Sequence, residues 1–413
     1  MKSIATLLFC ISPVCFAGDW TEFRGTSQGH AEFSNLPVTW SEEENIAWKV
    51  PVQGIGWSSP VVVKEKIYLT TAVAEDEESK ARSLRVLCLS AKDGTTIWDK
   101  EIFAQADEER VEIHGKNSHA SPTPVIDNGQ MFVHFGPHGT ACLDLDGNVV
   151  WKNNELLYMP LHGNGGSPAV TKKMLIICCD GRDEQFVVGL DRTNGKEVWR
   201  KERDVNVSRG FSFCTPTIIS VNEKQQAVCP GSGAVWSYDP GTGEQLWRVK
   251  YGEGYSVVPR PITGHGMVYV CSGFGDGQLF AIDPTGSGDV TESHVKWQTK
   301  KGVPKSPSIL MIGSEIYMVD DRGIATCLDA LTGEVHWQER FGGGFSASPV
   351  FADGRIYFQS EKGQTIVVEP GTEFKELGRS QLGDGSSRTF ASYAFVDEAI
   401  LLRSETHLYR IQK

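Results

Sequence analysis

Basic residues are in short supply. The chain has 40 Lys and Arg against 52 Asp and Glu, for a net charge of −12. A chain of that sign repels nucleic-acid phosphate, which excludes DNA or RNA binding as a main role. No Lys/Arg cluster marks a membrane-facing surface. Catalytic signatures are lacking too: there is no nucleophile elbow, phosphate loop or zinc-ligand spacing. Gly342-Gly343-Gly344 follows a Trp-bearing strand and opens no helix, so it is not a nucleotide loop. Without a Cys-x-x-Cys-His motif there is no haem attachment and no fused cytochrome. The apolar run Ile4 to Val14 is too short to span a bilayer. Lys2 before it and Cys15-Phe16-Ala17 after it read as a secretory leader, residues 1–17, cleaved after Ala17. The mature protein is then expected in the periplasm or cell envelope, with no transmembrane segment. Lipid attachment wants a Leu three residues before the Cys and a small residue just before it; Cys15 has Ser12 and Val14 there, and Cys10 has Leu7 but Phe9.

What the chain does have is a repeat. Asp191-Arg192-Thr193-Asn194-Gly195 leads to Trp199, a strand, polar turn and return strand with the Trp four residues after the glycine. The same offset of four joins Gly94 to Trp98, Gly147 to Trp151, Gly243 to Trp247 and Gly333 to Trp337. After Gly286 the Trp arrives late, at Trp297, with seven residues inserted. The ladder Trp48, Trp98, Trp151, Trp199, Trp247, Trp297 and Trp337 steps by 50, 53, 48, 48, 50 and 40 residues, and Leu377 takes the next place. Ser-Pro or an equivalent opens each unit, with prolines at 60, 122, 168, 216, 261, 307 and 349. Proline at the first residue of a strand costs no ladder hydrogen bond. The charged stretches 73–83 and 100–118 read as solvated insertions.

Four-stranded units of 40–50 residues describe a β-propeller. The expected fold is all-β: one eight-bladed propeller over residues 45–413, preceded by an irregular segment, 18–44, that packs over one end. Ile46 to Val50 is a strand with its own Trp and no hairpin before it, while the last unit ends one strand short. The N-terminal strand therefore completes the last blade and closes the ring. Of the ten cysteines, eight lie beyond the leader. Cys88, Cys142 and Cys327 stand where sister units have Gly189, Ser237 and Ala281, so one small residue is wanted there and free Cys serves. Cys178-Cys179 reads as two strand residues pointing to opposite sides. Asp144-Leu145-Asp146-Gly147-Asn148 has a calcium-loop flavour, but it falls within the hairpin turn and lacks the distal Glu.

The pattern Leu-Asp-x-x-Thr/Asn-Gly-x-x-x-Trp behind a Ser-Pro opening resembles the PQQ-like, or tryptophan-docking, propeller repeat. Leu190 to Trp199 and Leu328 to Trp337 match it most fully. The start Trp20-x-x-Phe23-Arg24-Gly25 is similar to that of exported bacterial members. The resemblance implies one of two branches. One is the non-enzymatic, BamB-like scaffold, which binds protein or peptide partners in the envelope. The other is the quinoprotein dehydrogenase, which holds PQQ and calcium above the axis and oxidises alcohols or sugars. Length favours the first, so no cofactor and no metal are expected, and a monomer is.

The loop before each Ser-Pro should reach the central funnel, and there the units stop resembling one another. The candidate ligand or partner residues are Trp57, Asn117, His119, His162, Asn164, Arg209, Phe211, Phe213, Tyr255, Lys305, Phe345 and Arg388. A mouth lined by such polar and aromatic groups suits a ligand or peptide.

Overall fold

The turns at Gly94, Gly147, Gly195, Gly243 and Gly333 each end in a left-handed glycine, and the Trp-bearing return strands carry their indoles against a neighbouring unit. At Gly195 φ is 74°, and a Cβ there would lie 2.4 Å from the Trp151 ring. At Gly333 φ is also 74°, and a Cβ would lie 2.7 Å from the Trp297 ring. The glycine of one blade is thus the seat for the tryptophan of the blade before it. The indole N–H then finds a carbonyl in that next blade. Trp48 donates to Ala91 O (3.1 Å), Trp151 to Arg192 O (2.9 Å), Trp199 to Pro240 O (3.0 Å), Trp297 to Ala330 O (3.0 Å) and Trp337 to Gly371 O (3.0 Å). Within a blade the Trp pairs across the ladder with the small residue the sequence singled out. These pairs are Cys88 with Trp98, Cys142 with Trp151, Gly189 with Trp199, Ser237 with Trp247, Ala281 with Trp297 and Cys327 with Trp337.

The computed structural model describes residues 18–413 apart from 75, 77–78, 107–112 and 205–206, so the leader lies outside the described residues. They form eight four-stranded antiparallel sheets around an axis, two of them extended by a fifth strand, with negligible helix. Blade 1 comprises Val61–Val63, Lys66–Ala74, Arg82–Ser90 and Thr96–Gln105, counted outward from the axis. The innermost strands of blades 2 to 7 are Val125–Asp127, Ala169–Val170, Thr217–Val221, Ile262–Gly264, Leu310–Ile312 and Val350–Ala352. Blade 8 runs Ala394–Val396, Ala399–Arg403 and His407–Ile411, and Ile46–Pro51 supplies its outer strand, with Trp48 opposite Arg410. This closure by the N-terminal strand is as the sequence implied.

Some boundaries differ from the sequence reading. The stretches read as insertions in the first unit are partly strand, because blade 1 carries strands of 9, 9 and 10 residues. The seven residues inserted after Gly286 form strand Gly288–Asp289, which adds in parallel to the outer strand of blade 4, and a helical turn, Thr291–His294. Blades 2 and 6 open two residues later than the prolines at 122 and 307 suggest. Thr123 and Ser308, not Ser121 and Ser306, occupy the place of Ser59 in the ring of hydrogen bonds described below.

The N-terminal segment crosses the axis on the side of the first hairpin turns. Trp20 bridges to Val62, with N···O distances of 2.8 and 2.7 Å. Thr21 O accepts from Ile126 N (2.8 Å), Gln28 Oε1 from Thr263 N (2.6 Å), and His30 Nε2 donates to Met311 O (2.6 Å). His30–Ala31 then pairs in parallel with the innermost strand of blade 7. From there the chain runs outward through buried Leu36 and Trp40 into the outer strand of blade 8. This segment therefore plugs the axis as well as covering one end.

Candidate functional site

The open end of the axis is a cavity of about 370 Å³. Its floor carries a ring of hydroxyls that stitches neighbouring blades together. Ser59 N donates to Thr123 Oγ1 (3.0 Å), Thr123 N to Ser167 Oγ (2.8 Å) and Ser167 N to Thr215 Oγ1 (3.0 Å). On the other side Arg260 N donates to Ser308 Oγ, Ser308 N to Ser348 Oγ and Ser348 N to Ser392 Oγ, each at 2.9 Å. Each of these acceptor hydroxyls is used by the preceding blade's backbone, which explains why Ser or Thr recurs before the strand. Phe23, from the plug, is part of the floor.

The walls are aromatic. His162 packs on Phe211 (5.4 Å between ring centres), Phe211 on Tyr255 (5.8 Å) and on Phe213 (6.0 Å), and Trp57 on Phe390 (4.8 Å). Cations lie over these rings. The Arg209 guanidinium is 4.6 Å from the Tyr255 ring centre, Lys305 Nζ 5.4 Å from that of Phe274, and Arg388 5.5 Å from that of Trp57. Cation–π contacts of this kind hold the charge at the rim rather than in solvent. Arg388 is also doubly bonded to Glu405, which raises the guanidinium's pKa and lowers that of the carboxyl. Lys116 pairs with Glu361 at 2.7 Å. The side chains of Arg209 and Lys305 have no ion-pair partner among the described residues, although the Lys305 backbone N–H donates to Asp321 Oδ2 (2.7 Å). Among the described residues the cavity lining contains no Asp or Glu.

Of the twelve residues expected at the funnel, Trp57, Asn117, His162, Arg209, Phe211, Phe213 and Tyr255 line this cavity. The others do not. Lys305 and Arg388 stand over rings of the wall, as above. Asn164 accepts from the Tyr158 hydroxyl (3.0 Å), and Phe345 is buried among the hydrophobic residues of blades 6 and 7. His119 is pushed down to about 4, chiefly by burial and then by the charges of Arg82 and His138. Sequence reasoning missed Phe23, His114, Lys116, Phe274 and Phe390, which also line the cavity. His114, Lys116 and Phe390 lie in the same loops as expected residues, whereas Phe23 and Phe274 come from outside them.

The lining does not fit calcium. A hard cation needs several carboxylate or carbonyl oxygens, and no group of three or more His, Cys, Asp or Glu among the described residues is placed to hold a metal. Cys178 and Cys179 are buried free thiols in two different cores, Cys178 with Trp199 and Cys179 with Trp151, as strand alternation requires. The Asp144 turn is turn chemistry, since its carboxylate accepts from Asp146 N (3.0 Å) and Asn148 N (2.8 Å).

Eight four-stranded blades, five of whose junctions seat a tryptophan on a turn glycine, define a PQQ-like propeller repeat protein. The chain belongs to the family described as outer membrane protein assembly factor BamB, which matches residues 34–187, 182–312 and 294–402. It is 25% identical over 239 residues to the BamB of Alkalilimnicola ehrlichii, a match covering 56% of this chain and 53% of that protein. To the BamB of Burkholderia pseudomallei it is 24% identical over 296 residues, covering 68% and 64%. A 154-residue stretch is 29% identical to methanol dehydrogenase [cytochrome c] subunit 1 of Methylorubrum extorquens, covering 30% of this chain and 22% of that one. The matches therefore span less than two thirds of each relative. Among solved structures, BamB from Moraxella catarrhalis superposes with a TM-score of 0.63 at 14% identity, over 89% of this chain and 97% of that one. The quinohemoprotein alcohol dehydrogenase of Comamonas testosteroni gives 0.66 at 12% identity, over 95% and 80%. At such identities the likeness is one of fold.

Proposed function

We propose that this chain is an exported, non-enzymatic binding propeller of the cell envelope. Its funnel takes a segment of a protein or peptide partner, or a small ligand, that presents an apolar group together with negative charge. The observation that carries this reading is the cavity itself. It is walled by aromatic rings, rimmed by Arg209 and Lys305, and, among the described residues, free of acidic lining in a chain of net charge −12. Such a rim attracts anions while the rings supply apolar contact. The leader read at residues 1–17 and the BamB relatives support the envelope placement. Partners can also add as strands at a blade edge, as the chain does to itself at blades 4 and 7.

The test is capture from an envelope extract with the wild-type chain and an Arg209→Ala/Tyr255→Ala variant. A partner held by the wild type and released at least tenfold by the variant supports the funnel. Equal capture by both removes it. The PQQ- and calcium-dependent reading is checked in parallel by titrating both and following absorbance and thermal shift. Saturable binding with dye reduction by alcohols or sugars would overturn the non-enzymatic reading.

A further inference from the structure

Five buried hydroxyls at the floor of the funnel have a proton to give and nothing to give it to. Thr123, Ser167, Thr215, Ser348 and Ser392 all line the cavity and are 2–5% exposed. Each accepts a backbone N–H from the preceding blade. None of the five donates its own O–H to an acceptor among the described residues. Buried hydroxyls away from the floor show the alternative. Thr217 donates to Pro261 O (2.9 Å), Ser232 to Phe211 O (2.8 Å) and Thr389 to Ser360 O (2.7 Å). A sixth donor joins the five. Trp57, in the same lining, is 7% exposed, and its Nε1 is buried without an acceptor. Buried donors left without partners are costly, so such a set points to a bound acceptor.

The cavity is also closed below. Arg260, which takes the ring position in blade 5, turns its side chain to the plug. There Nη1 donates to Phe23 O (2.8 Å) and Glu22 Oε1 (3.1 Å), which fixes Phe23 at the floor. A blind cavity of about 370 Å³ is small for a ligand pocket, and it admits an end or a tight turn rather than a passing chain. The two ends of a polypeptide differ in what they bring. An N-terminal ammonium brings three more donors and a charge that Arg209 and Lys305 at the rim repel. A C-terminal carboxylate brings acceptor oxygens only, with a charge that the rim attracts and that strengthens each hydrogen bond from the floor. An internal turn brings N–H and C=O groups together and leaves donors facing donors.

We propose that the funnel binds the C-terminal end of a partner polypeptide, its carboxylate on the floor hydroxyls and its last apolar side chains against Phe211 and Phe213. This rests on the funnel being the binding site and names the part of the partner that enters it.

The experiment passes random tripeptides over the immobilised full chain and identifies the retained members by mass spectrometry. One pool is N-acetylated with a free C-terminal carboxylate. A second is N-acetylated with a carboxamide, and a third has a free amine and a carboxamide. The first pool should be retained and the other two not. For a retained acid, the dissociation constants of the acid and its amide should differ by about tenfold or more. Ser392→Ala removes one floor hydroxyl and should weaken the acid about three- to tenfold while leaving the amide unchanged. Trp57→Phe removes the indole N–H, breaks no hydrogen bond of that group and should act in the same way. It decides alone if Ser392→Ala fails to fold. No retention from any pool, equal binding of acid and amide, or acetate or benzoate competing as tightly as the peptide acid overturns the C-terminal assignment. Equal binding of acid and amide that Arg209→Ala/Tyr255→Ala still abolishes does so while leaving the funnel in place as the binding site.

Discussion

The junction between blades 4 and 5 departs from the regular junctions at both of its ends. At five junctions a tryptophan of one blade rests on the turn glycine of the next, as Trp151 does on Gly195 and Trp297 on Gly333. At the fourth junction the seat is changed. A Cβ on Gly286 would meet Val290 and His294 of the insertion rather than an indole. Trp247 is instead roofed by the added strand, with Gly288 opposite it, and is fully buried. Its N–H turns back into its own blade, to Gln226 Oε1 (2.8 Å). Near the axis the same junction breaks the hydroxyl ring, because blade 5 supplies Arg260 where the others supply Ser or Thr. The lesson is that the ring needs a filled interface between blades rather than one particular contact. Where the repeat is broken at the rim, inserted backbone fills the gap. Where it is broken at the axis, charge enters.

The comparison can be broken or sharpened in order of expected effect. Trp247→Ala should cost about 3–5 kcal/mol, since a fully buried indole is lost under a roof that cannot collapse. Trp297→Ala, at a half-buried seat, should cost less. Equal shifts of the two urea midpoints would abolish the distinction. Gly333→Ala forces a side chain into the left-handed region and onto the Trp297 ring, for about 2–4 kcal/mol. Gly286→Ala adds no left-handed penalty and should cost less in the same titration.

At a regular junction, between blades 2 and 3, acid is the lever. Buried His134 is bonded to Thr140 Oγ1 (2.8 Å), lies 3.4 Å from the Tyr158 hydroxyl, and is pushed down to about 3 by burial. The unfolded chain takes up that proton below about 6.5 and the folded one does not. This contribution is intact above pH 6.5 and is lost as pH falls toward 3, by about 2 kcal/mol at pH 5. His134→Gln should flatten that part of the stability curve, and an unchanged slope would assign the loss to other groups. The smallest effect belongs to the hydroxyl ring. Ser348→Ala leaves the Ser308 N–H without its acceptor and should cost about 1–2 kcal/mol. A loss within error would show that water replaces the hydroxyl.

The wheel was legible in the sequence because its parts are periodic. A glycine and an indole at a fixed offset, with a small residue opposite the indole, follow from one docking geometry repeated around the ring. Closure was legible from an orphan strand at Trp48 and a last unit one strand short. The plug was not, because residues 18–40 have no period, and many of their partners are backbone groups of innermost strands hundreds of residues away. Two blade openings were misplaced because Ser121-Pro122-Thr123-Pro124 and Ser306-Pro307-Ser308 offer two equivalent-looking starts each. At the funnel, Arg209, Phe211 and Tyr255, singled out by variation between units, line the cavity. Such variation cannot tell a residue that faces the cavity from one, such as Phe345, that its loop folds back into a blade interface.

The strip of chain from Trp20 to Ala31 makes the funnel a cul-de-sac. Whatever enters must leave by the same door, so an extended polypeptide cannot be passed through the wheel from one side to the other. Only a terminus or a bent loop can touch the Phe23 floor. Residence in such a vessel is set by how tightly the guest is gripped at the mouth and not by any transit.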